Sequence, residues 1–307
     1  MDESIVSDLR SALGGPSPLV LDGGLGSMLI ARGLGRGEPP ERWNLERPQE
    51  VTAVHRAYVE AGSDAVHANT FGANRVRLGA FGLGARCAEL NRLGIELARQ
   101  AGPRFVLGDV GPTGEYLPPV GKADPERWRE AFLEQGQALA AAGADGLHVE
   151  TMSDLREALV ALSALREAAP GLPVWISLTY DRKKRGFFTV MGNALAPAIA
   201  ELVSHGADGV GANCSITSPD MRELVVEAMR ALGAAPRAVP LIAQPNAGQP
   251  RMAAEGVAYD QSPEDFATDA AAMAAAGASA VGGCCGTDPR FIAALRRQLR
   301  ATSAQQE

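Results

Sequence analysis

Four segments of this chain echo one another: Ala61-Gly-Ser-Asp-Ala-Val66, Ala142-Gly-Ala-Asp-Gly-Leu147, His205-Gly-Ala-Asp-Gly-Val210 and Ala276-Gly-Ala-Ser-Ala-Val281. Each glycine follows an Ala/Leu/Glu/Arg-rich stretch and precedes an apolar run by two or three residues. That is the pattern of a helix stopped in the left-handed conformation and followed at once by a buried strand. One further apolar run precedes the first echo and three lie between the echoes, so the expected strands are 18–22, 64–69, 104–109, 145–150, 173–179, 208–213, 239–244 and 279–284. Their apolar residues fall on both faces, as in strands covered by helices on one side and packed on the other. Eight strand-helix units in series predict one α/β domain over residues 1–307, a (β/α)8 TIM barrel, whose typical size is roughly 250 residues. The rival is a doubly wound open sheet, which wants a G-x-G-x-x-G fingerprint after its first strand; Asp22-Gly-Gly-Leu-Gly-Ser27 lacks the full pattern.

With 46% hydrophobic and 21% charged residues, the chain can bury a sizeable core and has no character of bulk disorder. A net charge of -7 argues against a nucleic-acid surface or an anionic membrane surface. One local exception is Arg182-Lys-Lys-Arg185, read either as a solvated loop or as a docking patch for an acidic carrier or polyanionic donor. The N-terminal residues lack the charged start and apolar middle of a secretion signal, and no apolar run is long enough to span a bilayer. A cytoplasmic setting is expected. In such a reducing compartment, four cysteines are ligands or buried thiols rather than a disulfide framework.

Two of those cysteines are adjacent, in Val281-Gly-Gly-Cys-Cys-Gly-Thr-Asp288. Neighbouring residues cannot form an unstrained disulfide, so a shared third partner is the better reading. Cys214, in Gly211-Ala-Asn-Cys-Ser215, ends an earlier strand much as Cys284 and Cys285 end theirs. Three thiolates on one soft cation describe a zinc site with a vacant fourth position, which is the catalytic rather than the structural type. The blander alternative is three inert buried thiols. In a barrel, active sites collect at the C-terminal strand ends. Those ends carry Asp22-Gly23, Asn69-Thr70, Asp109, Glu150-Thr151, Thr179-Tyr180, Asn213-Cys214, Asn246 and Cys284-Cys285.

These residues resemble a known family, the zinc-dependent homocysteine S-methyltransferases, including the homocysteine-binding module of cobalamin-dependent methionine synthase. The likeness runs through Leu21-Asp-Gly-Gly-Leu-Gly26, His67-Ala-Asn-Thr-Phe-Gly72, Gly108-Asp-Val-Gly-Pro-Thr-Gly114, Glu150-Thr151, Gly211-Ala-Asn-Cys214, Pro245-Asn-Ala-Gly248 and Gly282-Gly-Cys-Cys-Gly286. The resemblance implies that Cys214, Cys284 and Cys285 bind Zn2+ and activate a thiol. It implies that Glu150 with Asp22 receives the amino group of an amino-acid thiol, with Gly23 and Thr151 beside them. Asn246 stands where the family can place a neutral group near the metal. The Gly108–Gly114 phrase is closer to the methionine-synthase branch, whereas the stretch from Leu178 to Thr189 departs from the family in being more basic and aromatic.

The implied reaction moves a methyl group to homocysteine, forming methionine, or to a related thiol. The donor is either methylcobamide carried on another protein or S-methylmethionine. A corrinoid-binding Asp-x-His-x-x-Gly signature is missing, so a methylcobamide is expected to arrive on a separate corrinoid carrier. Two alternatives stay open: a non-catalytic zinc and thiol binder or sensor, and a demethylase working from a thioether or onium substrate. Strand parity adds one expectation, that His148 lies one pleat beneath Glu150 and His67 beneath Asn69, under the site. Core histidines bonded to each other or to a water are the plain reading of that pair; a proton-handling role, or anchoring of Glu150, is the functional one. Cys87 reads as a packing residue, and the long loop 111–119 as a lid or donor-facing wall.

Overall fold

The four echoed glycines adopt the conformation their context demands: Gly62, Gly143, Gly206 and Gly277 have φ of 106°, 86°, 91° and 111°. Each ends a helix and turns the chain into the next strand within three residues. The computed structural model describes residues 8–15, 17–235, 238–253 and 256–304. Eight strands follow in order: β1 (Leu19–Val20), β2 (Ala65–His67), β3 (Phe105–Val110), β4 (Gly146–Met152), β5 (Val174–Leu178), β6 (Gly209–Thr217), β7 (Leu241–Asn246) and β8 (Ala280–Val281). They pair in parallel in the order β1-β8-β7-β6-β5-β4-β3-β2, with helices between successive strands. The expected (β/α)8 barrel is what forms, closed by ladders everywhere but between β1 and β2.

That seam is bridged in another way. Asp64 N donates to Val20 O (2.7 Å), and its carboxylate accepts from Val20 N (2.9 Å). Further up, Asp22 Oδ2 accepts from His67 N (2.9 Å). Two carboxylates thus take the place of carbonyls where the ladder is interrupted, and give Val20 N and His67 N acceptors.

Strand parity divides the side chains into two sets. Outward residues such as Val66, Val106, Leu147, Ile176 and Val210 join the helices in the large core cluster. Inward residues at the lower end, among them Leu19, Ala65, Phe105, Leu107, Trp175 and Ile242, form a second apolar cluster, which Leu9 and Leu13 of helix Leu9–Leu13 plug from below. Each such buried large side chain contributes about 2 kcal/mol. Above this plug the interior turns polar, and the site begins there.

Two hairpins were not expected, Asp181–Lys183 with Gly186–Phe188 and Arg251–Ala253 with Gly256–Ala258. Strands of three residues are too short to show a period. The basic run Arg182-Lys-Lys-Arg185 therefore sits on a hairpin rather than a free loop. Arg182 is engaged by Asp220 (2.8 Å) and Glu223, and Lys183 by Asp181 (3.0 Å). Among the described residues, no helix is long and apolar enough to cross a membrane.

Candidate metal centre and thiol site

In a regular β6, Val210 and Ala212 face the helices, and Cys214 would follow them outward. It does not, because β6 bulges against β7 between Asn213 and Thr217. Cys214 and Ser215 take left-handed φ of 60° and 56°. β4 has a matching irregularity between Val149 and Met152, with Thr151 at φ 59°. A left-handed β-branched residue is strained and persists only where its surroundings impose it. Here one side chain ties both bulges together: Asn213 Oδ1 accepts from Thr151 N, and its Nδ2 donates to Thr151 Oγ1, both at 2.7 Å. The same amide nitrogen lies 3.7 Å from Cys284 Sγ.

The re-aimed Cys214 meets the two cysteines beyond β8. Its sulfur is 3.7 Å from that of Cys285, and all three sulfurs lie within 4.8 Å of one another. Zinc–sulfur bonds of about 2.3 Å at tetrahedral angles put sulfurs roughly 3.8 Å apart, so the spacing fits one ion. The thiols cannot all ionise unaided. Hydrogen bonds from Cys284 and Cys285 pull Cys214 down to about 3, and those same bonds push Cys285 up to about 12 and Cys284 well above the usual thiol range. A cation among them resolves that conflict, since thiolate is the form that binds metal. The Asn246 side chain also hydrogen-bonds Cys214, while its Oδ1 is buried without a protein partner. Tyr259 hydrogen-bonds Cys285.

The cysteine-bearing turn is held against the β1 turn at close quarters. Thr287 Oγ1 donates to Cys284 O (2.7 Å) and accepts from Gly24 N (3.1 Å), and Tyr58 donates to Thr287 O (3.0 Å). A Cβ at Gly24 would stand 2.7 Å from Cys284 O, closer than real Cβ atoms approach, so glycine is required there.

A cavity of about 340 Å³ opens above this layer. Cys214, Cys284, Cys285, Glu150, Thr151 and Gly23 line it, as do Glu41, His67, Asn69, Phe71, Asp109 and Gln244. Asp22 does not. Its Oδ1 meets His67 Nδ1 at 2.6 Å and its Oδ2 the His67 N–H, so both oxygens are taken up by the histidine. Asn69 donates to Pro40 O and Asn44 Oδ1 (2.8 Å each), and Thr70 to Asp109 O (2.8 Å); these order the rim. The loop after β3 is pinned by Glu157, which accepts from Thr113 N and Oγ1 at 2.7 Å. Cys87 lies in a separate apolar cluster with Leu78 and Leu90, and burial pushes its thiol up to about 12.

Below Glu150 the two histidines stand as parity implies. His67 Nε2 is 2.8 Å from His148 Nδ1, His148 Nε2 is 2.8 Å from Ser177 Oγ, and Glu150 Oε2 is 4.0 Å from His148 Nδ1. Burial raises Glu150 to about 7, against the opposing pull of His67. Burial, reinforced by Glu150, pushes Asp109 well above the carboxylate range. Burial would lower His67, but Asp22, with Glu150 and Asp109, outweighs it and lifts the ring to about 9. His148 goes the other way, driven down by burial and by His67. Asn213 and Asp109 were within reach of sequence reasoning, since both stand at strand ends inside quoted motifs. The role of Asn213 depends on bulges that no periodicity announces.

The chain is similar to known proteins over most of its length. Over 293 residues the chain is 33% identical to methionine synthase of Mycobacterium tuberculosis, covering 89% of this chain and 24% of that protein. Methionine synthase of Mycobacterium leprae is 33% identical over 262 residues, 81% of this chain and 21% of that one. The chain thus spans about a quarter of the length of these relatives. The metallated form of the homocysteine methyltransferase MmuM from Escherichia coli superimposes with a TM-score of 0.77 at 27% identity, over 94% of this chain and 99% of that one. The family model described as homocysteine S-methyltransferase matches residues 19–299, from β1 to the last helix and with all three clustered cysteines inside it, so the chain belongs to the homocysteine S-methyltransferase family of methyl-transferring enzymes.

Proposed function

We propose that this protein is a zinc-dependent methyltransferase that methylates the thiol of homocysteine, with Cys214, Cys284 and Cys285 as metal ligands. The observation that carries the reading is the convergence of three sulfurs, at zinc spacing, on the floor of a cavity that also holds Glu150. Bound there, zinc would supply Lewis acidity that keeps a coordinated thiol ionised at neutral pH. Everything else falls to the chain. Glu150 receives the substrate's ammonium group, a charge-assisted contact in a buried setting. Gly23 and Thr151 flank the amino-acid end, and the bulge at Thr151 sets the angle at which Glu150 enters the cavity. Asn246 offers a neutral oxygen beside the sulfur cluster. Asp22 acts through His67 rather than by touching substrate.

Transfer forms a sulfur–methyl bond as the methyl–donor bond breaks and its electron pair leaves with the donor. The thiol proton is released when the sulfur ionises. Two donors are compatible with the site: methylcobamide presented by a corrinoid carrier, as the methionine synthase relatives suggest, and S-methylmethionine. A reducing, cytoplasmic setting fits three thiols that must stay unbridged.

The test is zinc-loaded protein incubated with homocysteine and each donor in turn, with mass spectrometry for methionine. Methionine from either donor is the expected outcome. Zinc and thiol binding with no methylated product from any donor would overturn the reading in favour of a sensor or binder, and methyl loss from a thioether would favour a demethylase.

A further inference from the structure

The line Asp22–His67–His148–Ser177 crosses the barrel interior with spacings of 2.6, 2.8 and 2.8 Å and is buried throughout. With Asp22 accepting from His67 and the His148 ring neutral, it admits two proton arrangements. In one, His67 is neutral, His148 carries its proton on Nδ1 and donates to His67, and Ser177 donates to His148. In the other, His67 carries protons on both nitrogens and donates to Asp22 and to His148 Nδ1, so that His148 is protonated only on Nε2 and donates to Ser177. Hydrogen-bond geometry satisfies every atom either way.

The surroundings decide between them. His67 faces Asp22 from just beyond β1, Asp109 from β3, His148 and Glu150 from β4, and His55 from the helix Pro48–Ala61. Two of those neighbours are histidines whose burial favours the neutral ring, and three are carboxyl groups. Burial drives Asp109 toward the neutral form, while Asp22 at 2.6 Å and Glu150 favour a positive ring at His67, and that ring in turn draws Glu150 toward its ionised form. An ionised Glu150 is what an incoming ammonium group would pair with.

We propose that His67 is a permanent buried imidazolium, fixed by Asp22, His148 and Ser177, and that it is the counter-charge that keeps Glu150 ready for the substrate's amino group. The second half rests on the amino-acid thiol reading given above; the first half does not. His67 is on this account a positioning residue for Glu150, and the pair of histidines is an electrostatic part of the thiol site.

The charge is tested by heteronuclear NMR of the imidazole nitrogens in zinc-loaded protein near neutral pH, without thiol, with resonances assigned by His67→Gln and His148→Gln. Protons on both nitrogens of His67 and only on Nε2 of His148 are expected. An unprotonated nitrogen on His67, or a proton on His148 Nδ1, overturns the proposal. The role is tested by the affinities of homocysteine and its des-amino analogue for wild type, His67→Gln and the near-isosteric Asp22→Asn. Loss of the imidazolium should weaken homocysteine about tenfold or more while the analogue changes little. Equal weakening of both would mean a packing role and would sink the idea. Wild-type protein that binds neither thiol would count against the functional reading alone, because the ring nitrogens would still settle the charge.

Discussion

In the lower half of the barrel Ala65, Leu107, Trp175 and Ile242 belong to one apolar cluster, and two residues further along the same strands His67, Asp109, Ser177 and Gln244 occupy the equivalent inward positions. One pleat separates a floor that packs like any hydrocarbon core from a floor that holds charge. The lower floor needs only volume. The upper floor must satisfy each polar atom, and it does so largely by joining them: Asp22, His67, His148 and Ser177 are mutually bonded, whereas Asp109 Oδ1, Gln244 Oε1 and Asn246 Oδ1 are left without protein partners at or beside the cavity. Unpaired buried oxygens on opposite walls of the barrel mouth point to a ligand that hydrogen-bonds them.

If the two floors are functionally distinct, mutations should separate zinc and thiol binding from stability. The largest effect belongs to the metal. Cys284→Ser should cost far more than the roughly 10- to 100-fold in affinity expected for an outer partner, read as zinc content against a competing chelator. Trp175→Ala, one pleat below, should lower folding stability by about 3–5 kcal/mol in denaturant titration and leave zinc stoichiometry unchanged in the protein that remains folded. Were it to abolish zinc uptake in folded protein, the division would fail. Glu150→Gln removes a charge-assisted contact of about 1.5–3 kcal/mol, so homocysteine should bind about tenfold or more weakly by calorimetry, with zinc content intact.

The smallest effect distinguishes two histidines by pH. His55 is fully buried with neither ring nitrogen partnered, and burial lowers it from 6.5 to about 4. A depressed folded value contributes stability above the unfolded one, which is lost as pH falls from about 6.5 through 4. His67, raised to about 9, contributes stability below 6.5 that is lost as pH rises through 9. Thermal melts across pH should therefore flatten on the acid side in His55→Leu and on the alkaline side in His67→Gln. A variant that flattens the opposite limb would reverse these assignments.

The strands were legible because each begins a fixed distance after a glycine stop, and the cysteine cluster because adjacent cysteines at a strand end have few other uses. Parity placed both histidines correctly under the site. It misleads for Cys214, which a regular strand would turn toward the helices; only the bulge tied by Asn213 brings it in. Nor could local pattern show that both oxygens of Asp22 are claimed by a residue 45 positions away. That pairing depends on where β1 and β2 fail to form a ladder, which is a property of barrel closure rather than of either segment.

The interrupted seam has a mechanical consequence. Asp22 is at once one of the two carboxylates that clasp the gap between β1 and β2 and the anchor of the histidine beneath the cavity, so one short side chain couples the closing of the barrel to the cavity's polarity. A change that loosened the gap would therefore be felt first at His67, and through His67 beneath the cavity.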